Sequence, residues 1–578
     1  MDRKQVAHIL EEIGVLLELK GENPFKARAY YNGARVVETL TEDLSRLVSA
    51  GKLGNIKGIG QALEEKISEL VRTGRLAYYE ELRNSFPPGL LDLLRLPGLG
   101  PKKVSLLYRE LGITNLGELE YACRENRLLS LPGFGAKTQA NVLAALERQR
   151  EYRRQFRWGE VAPLAHELVA ALREIPGVRR AEVAGSLRRL KEVVKDVDVV
   201  AELEVGTDRE QIAQGVARLT EVERLVAAGE TKLALELKGG PNCDVRLVSS
   251  GQYPWALVHF TGSKEHNTVL RHLAKEQGLK LNEYGLFRDE ERAAQAVEEA
   301  EVYRALGLAY IPPELRENLG EIEQAQAGEL PELVKPADLK GAWHVHTQYS
   351  DGVNTLEEMA RQALGYGWSF LGIADHSQSA FYAHGLKEED IRRQWAEIDA
   401  LNGKLEQEGK EFRLLKGIEA DILPDGQLDY PEEILAGFDF VIASVHSRFK
   451  MDEESMTKRL IRALEHPQVT MLGHPTGRLL LAREGYSVNL RKVLEAAAAN
   501  GKAVELNASP YRLDLDWRWC RVAKELGVKI AINPDAHRLE ELAYVSFGVN
   551  IARKGWLQAE DVLNTHFRGM ADFMIKGK

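Results

Sequence analysis

Between residues 339 and 578 one pattern recurs: a short apolar run that ends in a polar residue, followed by an amphipathic stretch. The runs include "AWHVH", "FLGIADHS" and "FDFVIASVHS", and the stretches include "TLEEMARQALGYGW" and "LRKVLEAAAANG". Short apolar runs are typical of buried strands, and the amphipathic stretches have the periodicity of helices. Strands that alternate with helices predict a parallel β-barrel surrounded by helices, in which functional residues gather at the C-terminal strand ends.

The polar residues at these predicted strand ends are mostly histidines and carboxylates. His344 and His346 in "GAWHVHTQYSDG" share one face of a strand, which suits either a metal ion or two hydrogen-bonded core histidines. Later strand ends contribute Asp375, His376, Glu419, His446, His474, Glu505, Asn507, Asp535 and His537. Core packing does not account for so many, and mixed imidazole and carboxylate ligands suit Mn²⁺, Zn²⁺ or Fe²⁺ better than Mg²⁺ alone.

This pattern resembles the PHP (polymerase and histidinol phosphatase) domain, a (β/α)7-type barrel with a trinuclear metal site, over residues 339–578. The resemblance implies up to three Mn²⁺, Zn²⁺ or Fe²⁺ ions, with Glu419 bridging two of them. The nine implied ligands are His344, His346, Asp351, His376, Glu419, His446, His474, Asp535 and His537. Because all nine positions are filled, we expect a phosphodiesterase that uses metal-activated hydroxide. A phosphomonoesterase acting on a small substrate is the alternative.

The stretch "DVDVVAEL" in the middle of the chain alternates polar and apolar residues, as a half-buried strand does. Asp196 and Asp198 therefore project from one face, where two like charges are unfavourable unless a cation lies between them. A third carboxylate, Asp244, lies in the apolar stretch "NCDVRLVSS". Two Mg²⁺ ions are the usual arrangement in phosphoryl transfer, whereas a salt-bridged sheet edge is the alternative for the pair alone.

A turn of small residues precedes these aspartates in "VAGSLRRLKEVVK". Gly185 and Ser186 lie where a predicted strand turns into a helix, and Arg188 and Arg189 follow just inside that helix. Small residues, a helix N-terminus and arginine together are suited to bind a triphosphate. With the turn and Arg189 added, the three aspartates predict a nucleotidyl-transfer site rather than a salt bridge.

Three stretches in the first third of the chain are alike: "IKGIGQALEEKI", "LPGLGPKKVSLL" and "LPGFGAKTQANVL". Each joins a Gly-apolar-Gly turn to an amphipathic helix, whose free N–H groups can hold a phosphate oxygen without reading a base. One such turn would be an ordinary helix connection, but three copies resemble helix-hairpin-helix units, which bind DNA backbones. The expected DNA contacts are Gly58, Gly60, Gly98, Gly100, Lys102, Gly133 and Gly135.

The sequence up to about residue 315 resembles the family X DNA polymerases, the polymerase beta group, most specifically in "GSLRRLKEVVKDVDVV" and "HFTGSKEHN". The resemblance implies that Asp196, Asp198 and Asp244 hold two Mg²⁺, for which Mn²⁺ can substitute. It implies that Asn267 and Arg271 face the nascent base pair or the template. The residues implied to bind the incoming nucleotide are Gly185, Ser186, Arg189, Phe260, Thr261, Gly262, Ser263, Lys264 and Asn267.

Several positions depart from the usual pattern of this family. Val194 and Lys195 replace a Ser-Gly pair before the first metal aspartate, and His259 stands where an aromatic residue is common. These two departures put the strength of the polymerase site and its sugar discrimination in question. Lys264 replaces an acidic residue, and we expect its ammonium to strengthen nucleotide binding before DNA arrives.

Relatives of polymerase beta also carry a deoxyribose-phosphate lyase, in which a lysine forms a Schiff base. Lys66 falls at the position of that nucleophile in "GIGQALEEKI". However, Arg28 stands where a tyrosine is expected, and Ala62 where a second lysine is expected. Lys66 is therefore a lyase candidate, with a solvated helix lysine as the favoured interpretation.

Composition sets limits on the class of protein. The net charge of −10 is uneven, because the first 155 residues hold 24 Lys and Arg against 20 Asp and Glu and so carry +4, which leaves −14 for the rest. No apolar run is long enough for a membrane span, and the charged N-terminus lacks the apolar core of a signal peptide. Three scattered cysteines exclude a disulfide framework and fit a reducing cytoplasm.

A chain of 578 residues is too long for one core, so we expect several domains and a multidomain fold that combines α+β and α/β parts. The acidic, proline-bearing stretch "ENLGEIEQAQAGELPELVKPADLKG" is typical of a linker. The predicted segments are a helix-hairpin-helix domain at 1–80, a fingers region at 81–155, a nucleotidyltransferase palm at 156–235 that continues to the third aspartate, the palm end and thumb at 236–316, a linker at 317–338 and the PHP barrel at 339–578.

Together these features predict a DNA repair polymerase that fills short gaps by two-metal nucleotidyl transfer. The barrel would add a 3′–5′ exonuclease that trims 3′ ends, and cleavage beside abasic sites is a further expected reaction. The expected partners are gapped or nicked double-stranded DNA and dNTPs, with no membrane, and we expect a monomer in the cytoplasm, associated with the nucleoid. The alternatives are a DNA-end-binding scaffold with a weak polymerase site, and a nuclease to which the first half delivers DNA.

Overall fold

A computed structural model describes residues 3–40, 42, 44–149 and 155–565. The chain divides into two compact units, Met1–Arg148 and Gln149–Lys578. None of the helices within the described ranges has the length and apolar character that crossing a membrane requires.

The first unit is helical and contains three turns of one repeated geometry. In each turn the first glycine (Gly58, Gly98 or Gly133) has a φ angle between 80° and 102°, which glycine adopts without strain. The apolar residue that follows is buried in the core of the unit. The sequence repeat is therefore also a structural repeat. The helices are α1 (Arg3–Lys20), α2 (Pro24–Thr39), α3 (Leu44–Ser49), α4 (Gln61–Thr73), α5 (Ala77–Asn84), α6 (Pro101–Leu111), α7 (Leu116–Arg124) and α8 (Ala136–Gln149).

The predicted palm is a five-stranded mixed sheet with the strand order β2-β4-β7-β6-β5, and helices pack on both of its faces. The two stretches expected to be strands around the Gly-Ser turn form β2 and β4, which confirms that prediction. The elements are β1 (Phe156–Arg157), α9 (Trp158–Arg173), β2 (Val178–Val183), α10 (Gly185–Arg188), β3 (Val193–Val194), β4 (Asp196–Leu203), α11 (Arg209–Val216), β5 (Val222–Ala228), β6 (Lys232–Leu237) and β7 (Asn242–Val248).

The predicted thumb has a core of its own, and the segment 317–338, predicted to be a linker, is folded into it. Ile322 and Ala325 of that segment are buried in the same apolar cluster as Val302 and Tyr303. The acidic residues of the segment lie on a helix with an apolar side rather than in an open connection. The elements are α12 (Tyr253–Thr261), α13 (Lys264–Glu276), β8 (Lys280–Asn282), β9 (Gly285–Arg288), β10 (Glu291–Ala294), α14 (Glu299–Ala305) and α15 (Glu321–Ala327).

Seven parallel strands in sequential order, β11 to β17, form a nearly closed barrel with helices outside, as the alternating pattern predicts. A parallel bridge between Val345 and Ala536 joins its first and last strands. Trp343 and Phe440 pack inside it, with ring centroids 5.1 Å apart. The elements are β11 (Gly341–Ala342), α16 (Leu356–Gly365), β12 (Phe370–Ile373), α17 (Glu388–Gln407), β13 (Arg413–Asp421), α18 (Glu432–Leu435), β14 (Phe440–Ser444), α19 (Glu453–Leu464), β15 (Met471–Leu472), α20 (Leu490–Ala499), β16 (Ala503–Asn507), α21 (Trp517–Glu525), β17 (Ile530–Asn533) and α22 (Val545–Lys554).

Candidate active sites

The register of the mixed sheet brings the three predicted metal aspartates together. Strands β4 and β7 run parallel with Asp198 directly opposite Asp244, and Asp196 lies two residues earlier in β4. Val197 and Val199, which alternate with the two aspartates of β4, are completely buried on the other face. Alternation therefore directs three carboxylates to one patch of the sheet.

The like charges at this patch perturb Asp198. Burial, together with the charges of Asp196 and Asp244, raises the pKa of Asp198 to about 6. Lys232 on the adjoining strand β6 offsets part of the charge, with its Nζ 2.5 Å from Asp244 Oδ2. Arg246 and Arg189 also act to lower the pKa of Asp198, but they do not outweigh burial and the two neighbouring carboxylates. Carboxylate oxygens are the ligands that Mg²⁺ prefers. The donor set therefore fits divalent cations.

The Gly-Ser turn lies directly against the aspartates. Gly185 has a φ angle of +62°, and a Cβ atom at this position would lie 2.1 Å from Asp198 Oδ2. The backbone N–H of Ala184 donates to the carbonyl of Asp198 at 2.7 Å and fixes the turn to β4. Ser186 lies on the short helix α10, and Arg189 caps its C-terminal end. Only glycine fits at the closest point between turn and carboxylate.

Arg189 connects this turn with the end of α12. Its Nη1 donates to the backbone carbonyl of Thr261, and its Nε donates to Glu317 Oε1 at 3.1 Å. A Cβ atom on Gly262 would lie 3.0 Å from Arg189 Nη1. The structure thus brings together Arg189, Thr261 and Gly262, three of the residues that the motifs assign to one nucleotide.

Two hydroxyl groups of the predicted nucleotide site make contacts inside the protein. Thr261 Oγ1 accepts a hydrogen bond from Arg188 at 2.8 Å. Ser263 Oγ accepts one from the His266 backbone N–H at 3.1 Å and caps α13. Because both residues are buried, they offer a nucleotide their backbone turn rather than their hydroxyl groups.

The remaining predicted contacts differ in exposure. Lys264 and Arg271 are exposed on α13, so a nucleotide or a template strand can reach them. Asn267 is half-buried, and its Nδ2 donates to a backbone carbonyl of α12 at 2.7 Å. The ring of Phe260 is half-buried, with its centroid 4.7 Å from the guanidinium carbon of Arg246. Asn267 and Phe260 therefore help to shape the turn at the end of α12.

All nine predicted ligands of the barrel meet at the C-terminal ends of its strands. Glu419 lies among them: its Oε1 is 3.0 Å from His474 Nε2 and 3.2 Å from His446 Nε2, and its Oε2 is 2.9 Å from His376 Nδ1. Three groups have ligand atoms within 4.8 Å of one another, so each could hold one ion. They are His346, Asp351, His376 and His537; His344, His346 and Asp535; and His376, Glu419 and His446.

The chemistry of this cluster fits metal ions. Within the described ranges, His344 Nε2 and His376 Nε2 are buried and have no hydrogen-bond partner. A buried polar atom without a partner is unfavourable, and a metal ion would supply one. Imidazole and carboxylate together suit Mn²⁺, Zn²⁺ or Fe²⁺. Three overlapping groups of such donors fit up to three ions.

Buried carboxylates behind the histidines set the orientation of two of them. Glu505 Oε1 is 2.7 Å from His344 Nδ1, and Glu505 Oε2 accepts from the backbone N–H of His474 at 2.6 Å. Asp421 Oδ1 is 2.5 Å from His446 Nδ1. A partner on Nδ1 leaves Nε2 of the same ring available to an ion.

Asp375 lies at a strand end like the ligands but has another role. It accepts hydrogen bonds from the Thr347 backbone N–H at 2.7 Å, from Ser350 Oγ at 2.5 Å and from Gln394 Nε2 at 2.7 Å. Asp375 therefore holds the loop that connects His346 with Asp351.

Burial and neighbouring charge shift the histidines of the cluster in opposite directions. Burial, with His537 and His376 nearby, lowers the pKa of His346 to about 3. Burial also acts to lower the pKa of His446, but Glu419 and Asp421 outweigh it and raise that pKa to about 9. A histidine that stays neutral is ready to ligate, whereas His446 must lose a proton before it binds an ion.

In the first unit, the predicted DNA-binding turns present open backbone. A Cβ atom on Gly60, Gly100 or Gly135 would meet nothing within 4 Å, so a phosphate can approach these positions closely. Lys102 is exposed in the first turn of α6. The DNA contacts stay predictions that this geometry permits.

Lys66 is half-buried on α4. Its Nζ donates to the Ala62 carbonyl at 3.3 Å and lies 5.1 Å from the centroid of the Tyr78 ring. The lyase role of Lys66 stays a prediction.

The sequence motifs missed several residues that contact the two sites. Asp421 could have been found, because it follows Glu419 by two residues and so shares its face of β13. Lys232, Glu317 and Lys554 carry no local signal, since each approaches its site from a separate segment of the chain.

Four family models match the sequence. They are a helix-hairpin-helix domain at residues 1–76, a SAM-like helix-hairpin-helix tandem at 90–148, a DNA polymerase beta thumb at 256–317 and a PHP domain at 343–509. The matches follow the order of the helical unit, the thumb and the barrel in the structure.

Similar proteins cover either nearly the whole chain or about two fifths of it. The DNA polymerase/3′-5′ exonuclease PolX of Bacillus subtilis (strain 168) is 39% identical over 568 residues, which are 98% of this chain and 97% of that protein. A probable phosphatase of Thermoanaerobacter sp. (strain X514) is 31% identical over 248 residues, which are 41% of this chain and 94% of that protein. A probable phosphatase of Caldanaerobacter subterraneus subsp. tengcongensis is 32% identical over 239 residues, or 38% and 85% of the two chains.

Proposed function

Because this chain belongs to the family X DNA polymerases that carry a C-terminal PHP domain, we propose that it repairs DNA by filling short gaps and trimming 3′ ends. It is a DNA polymerase with a 3′–5′ exonuclease activity. The observation that carries this conclusion is the similarity to the Bacillus subtilis polymerase and exonuclease along 98% of the chain. The palm aspartates would serve the first activity and the barrel ligands the second.

In the polymerase reaction, Asp196, Asp198 and Asp244 would hold two Mg²⁺ ions, for which Mn²⁺ could substitute. When bound, these ions supply the charge that activates the primer 3′ hydroxyl and stabilises pyrophosphate as it leaves. Arg189 orients the triphosphate through its guanidinium, next to the backbone of the Gly-Ser turn. Lys264 adds a second cation from the exposed start of α13 and strengthens nucleotide binding.

In the exonuclease reaction, the nine barrel ligands would hold up to three ions, which we expect to be Mn²⁺, Zn²⁺ or Fe²⁺. When bound, these ions supply the hydroxide that attacks the phosphodiester. Glu505 and Asp421 keep His344 and His446 oriented for ligation. Cleavage beside abasic sites stays a prediction from the family resemblance.

An exposed aromatic residue next to the barrel ligands fits the end of a DNA strand. Phe381 is 65% exposed, and its neighbour Tyr382 lies with its ring centroid 6.0 Å from that of the ligand His376. The loop that carries both is fixed, since the Leu386 N–H donates to the His376 carbonyl at 2.9 Å. Bases stack on such rings without regard to sequence. Phe381 would therefore hold an unpaired base at the 3′ end.

The test uses one gapped, 5′-phosphorylated DNA with Mn²⁺, with and without dNTPs. The wild type should extend the primer when dNTPs are present and shorten it when they are absent. Asp198→Ala should lose only extension, and His344→Ala should lose only shortening. His466→Ala is the matched control, because His466 precedes β15 and so lies at the opposite end of the barrel from the ligands.

The same experiment separates the alternatives. Extension that survives in Asp198→Ala would remove the proposed palm site, and shortening that survives in His344→Ala would remove the proposed barrel site. A scaffold would show neither activity, and a nuclease would show shortening alone. The preference for gaps, the monomeric state and the association with the nucleoid stay predictions.

A further inference from the structure

A buried lysine of the PHP barrel contacts the nucleotide site of the palm. Lys554 is the last residue of α22 and is completely buried. Its Nζ donates to the backbone carbonyl of Arg189 at 2.9 Å, to Glu317 Oε1 at 2.7 Å and to the backbone carbonyl of Glu314 at 3.4 Å. All three N–H groups of the ammonium are thus directed at the palm and thumb.

A charged group is unfavourable in such a place unless its partners compensate for the loss of water. Burial lowers the pKa of Lys554, and Glu317 opposes that shift. The ring centroid of Trp517 lies 4.7 Å from Nζ, which adds a cation–π contact. A hydrophobic residue would fill the same space without this cost, so the lysine at this position points to a role for its charge and its donors.

The partner of Lys554 is also the partner of Arg189. Glu317 Oε1 accepts from Lys554 Nζ at 2.7 Å and from Arg189 Nε at 3.1 Å. Lys191 Nζ lies farther from the same carboxylate, at 3.8 Å from Oε2. Lys554 neutralises part of the negative charge of Glu317. The carboxylate can therefore orient the Arg189 guanidinium and still leave part of the positive charge of Arg189 available to a nucleotide. The backbone bond from Lys554 fixes Arg189 at the same time.

We propose that Lys554 is a positioning residue of the polymerase site: it holds Arg189 ready for the triphosphate of the incoming nucleotide. This inference rests on the proposed role of Arg189 in binding that triphosphate. Without the ammonium, Glu317 would draw the Arg189 guanidinium toward itself and away from the nucleotide. A residue of the exonuclease domain would thus set the nucleotide affinity of the polymerase.

The test measures kcat and KM for a dNTP on single-nucleotide-gapped DNA with Mg²⁺, using the full chain. Lys554→Met should raise KM by about tenfold, the scale of one lost hydrogen bond to a charged group, with little change in kcat. Exonuclease activity with Mn²⁺ in the same preparation should equal that of the wild type, because Lys554 is not among the barrel ligands.

Arg553→Met is the matched control. Arg553 precedes Lys554 in the same helix and reaches the thumb through Glu314 Oε1 at 2.8 Å, without contacting Arg189 or Glu317. It should leave KM for the dNTP unchanged. An equal rise of KM in Arg553→Met would mean that any loosening of this interface raises KM, and would overturn the proposal. An unchanged KM in Lys554→Met would overturn it as well.

A variant at the shared carboxylate keeps the proposal testable if Lys554→Met does not fold. Glu317→Gln should raise KM without loss of exonuclease activity, and an unchanged KM would overturn the proposal. Where Lys554→Met does fold, its effect and that of Glu317→Gln should not add in the double variant, because both act on one network. Full additivity would also overturn the proposal. Arg189→Ala distinguishes failure of the proposed function from failure of the role of Lys554. If KM for the dNTP is unchanged in Arg189→Ala, the proposed role of Arg189 fails. If KM rises in Arg189→Ala but is unchanged in Lys554→Met, only the role of Lys554 fails.

Discussion

Replacing Glu505 with glutamine tests whether the buried carboxylates of the barrel set its metal affinity. Glu505 Oε1 lies 2.7 Å from His344 Nδ1 and accepts from Asn533 Nδ2 at 2.9 Å, while Oε2 accepts from the His474 backbone N–H at 2.6 Å. Both oxygens therefore face donors. In glutamine, an NH₂ group replaces one of these oxygens and would face one of the donors. The negative charge behind His344 would also be lost.

The size of the effect follows from these contacts. A lost hydrogen bond to a charged group costs about 1.5–3 kcal/mol, which corresponds to a factor of about 10–150 in an equilibrium constant. Loss of a residue that supports a metal ligand typically costs about 10–100-fold in metal affinity. The two ranges overlap, so the Mn²⁺ concentration for half-maximal exonuclease activity should rise about 10–100-fold in Glu505→Gln.

The assay titrates Mn²⁺ against the shortening of a labelled single strand, and gap filling with Mg²⁺ in the same preparation reports that the protein is folded. Glu495→Gln on the exposed face of α20 is the matched control and should titrate as the wild type does. A midpoint for Glu505→Gln within about twofold of the wild type, well below the expected range, would refute the idea that Glu505 keeps His344 in place as a ligand.

Three further predictions concern other parts of the chain. Gly185→Ala should reduce primer extension by at least about 100-fold, because its Cβ atom would lie 2.1 Å from Asp198 Oδ2. Shortening of the primer should continue in this variant, and extension at the wild-type rate would contradict the close packing of the turn. Glu299→Gln removes the charge paired with Arg188 at 2.6 Å and Arg316 at 2.9 Å, and should lower the free energy of unfolding in urea by about 3 kcal/mol at neutral pH. Burial acts to raise the pKa of Glu299, but the two arginines outweigh it and lower the pKa from 4.5 to about 2. The contribution of Glu299 to the free energy of unfolding is therefore fully present above pH 4.5. The difference in that free energy between variant and wild type should vanish as the pH falls toward 2. Phe381→Ala should raise KM for a single-stranded 3′ end about tenfold in the exonuclease assay with little change in kcat, and an unchanged KM would exclude stacking on this ring.

Features that lie within one element could be predicted from the sequence alone. An alternating strand places Asp196 and Asp198 on one face, whatever strand it pairs with. A Gly-apolar-Gly turn needs a left-handed first glycine, and Gly58, Gly98 and Gly133 all adopt that conformation. The barrel ligands were predictable for a related reason, since the C-terminal ends of parallel strands all lie at one rim.

Pairings between distant segments were decided only by the tertiary structure. A shift of two residues between β4 and β7 would keep each strand's buried face and yet move Asp244 away from Asp198, and nothing in either strand excludes that register. Asp375 occupies a strand end as the ligands do, yet its carboxylate binds a loop. Lys554 meets Glu317 across 237 residues of sequence, and no periodicity relates the two. Local sequence determines the face on which a side chain lies, whereas the neighbours that share that face depend on how the buried apolar surfaces of separate elements pack together.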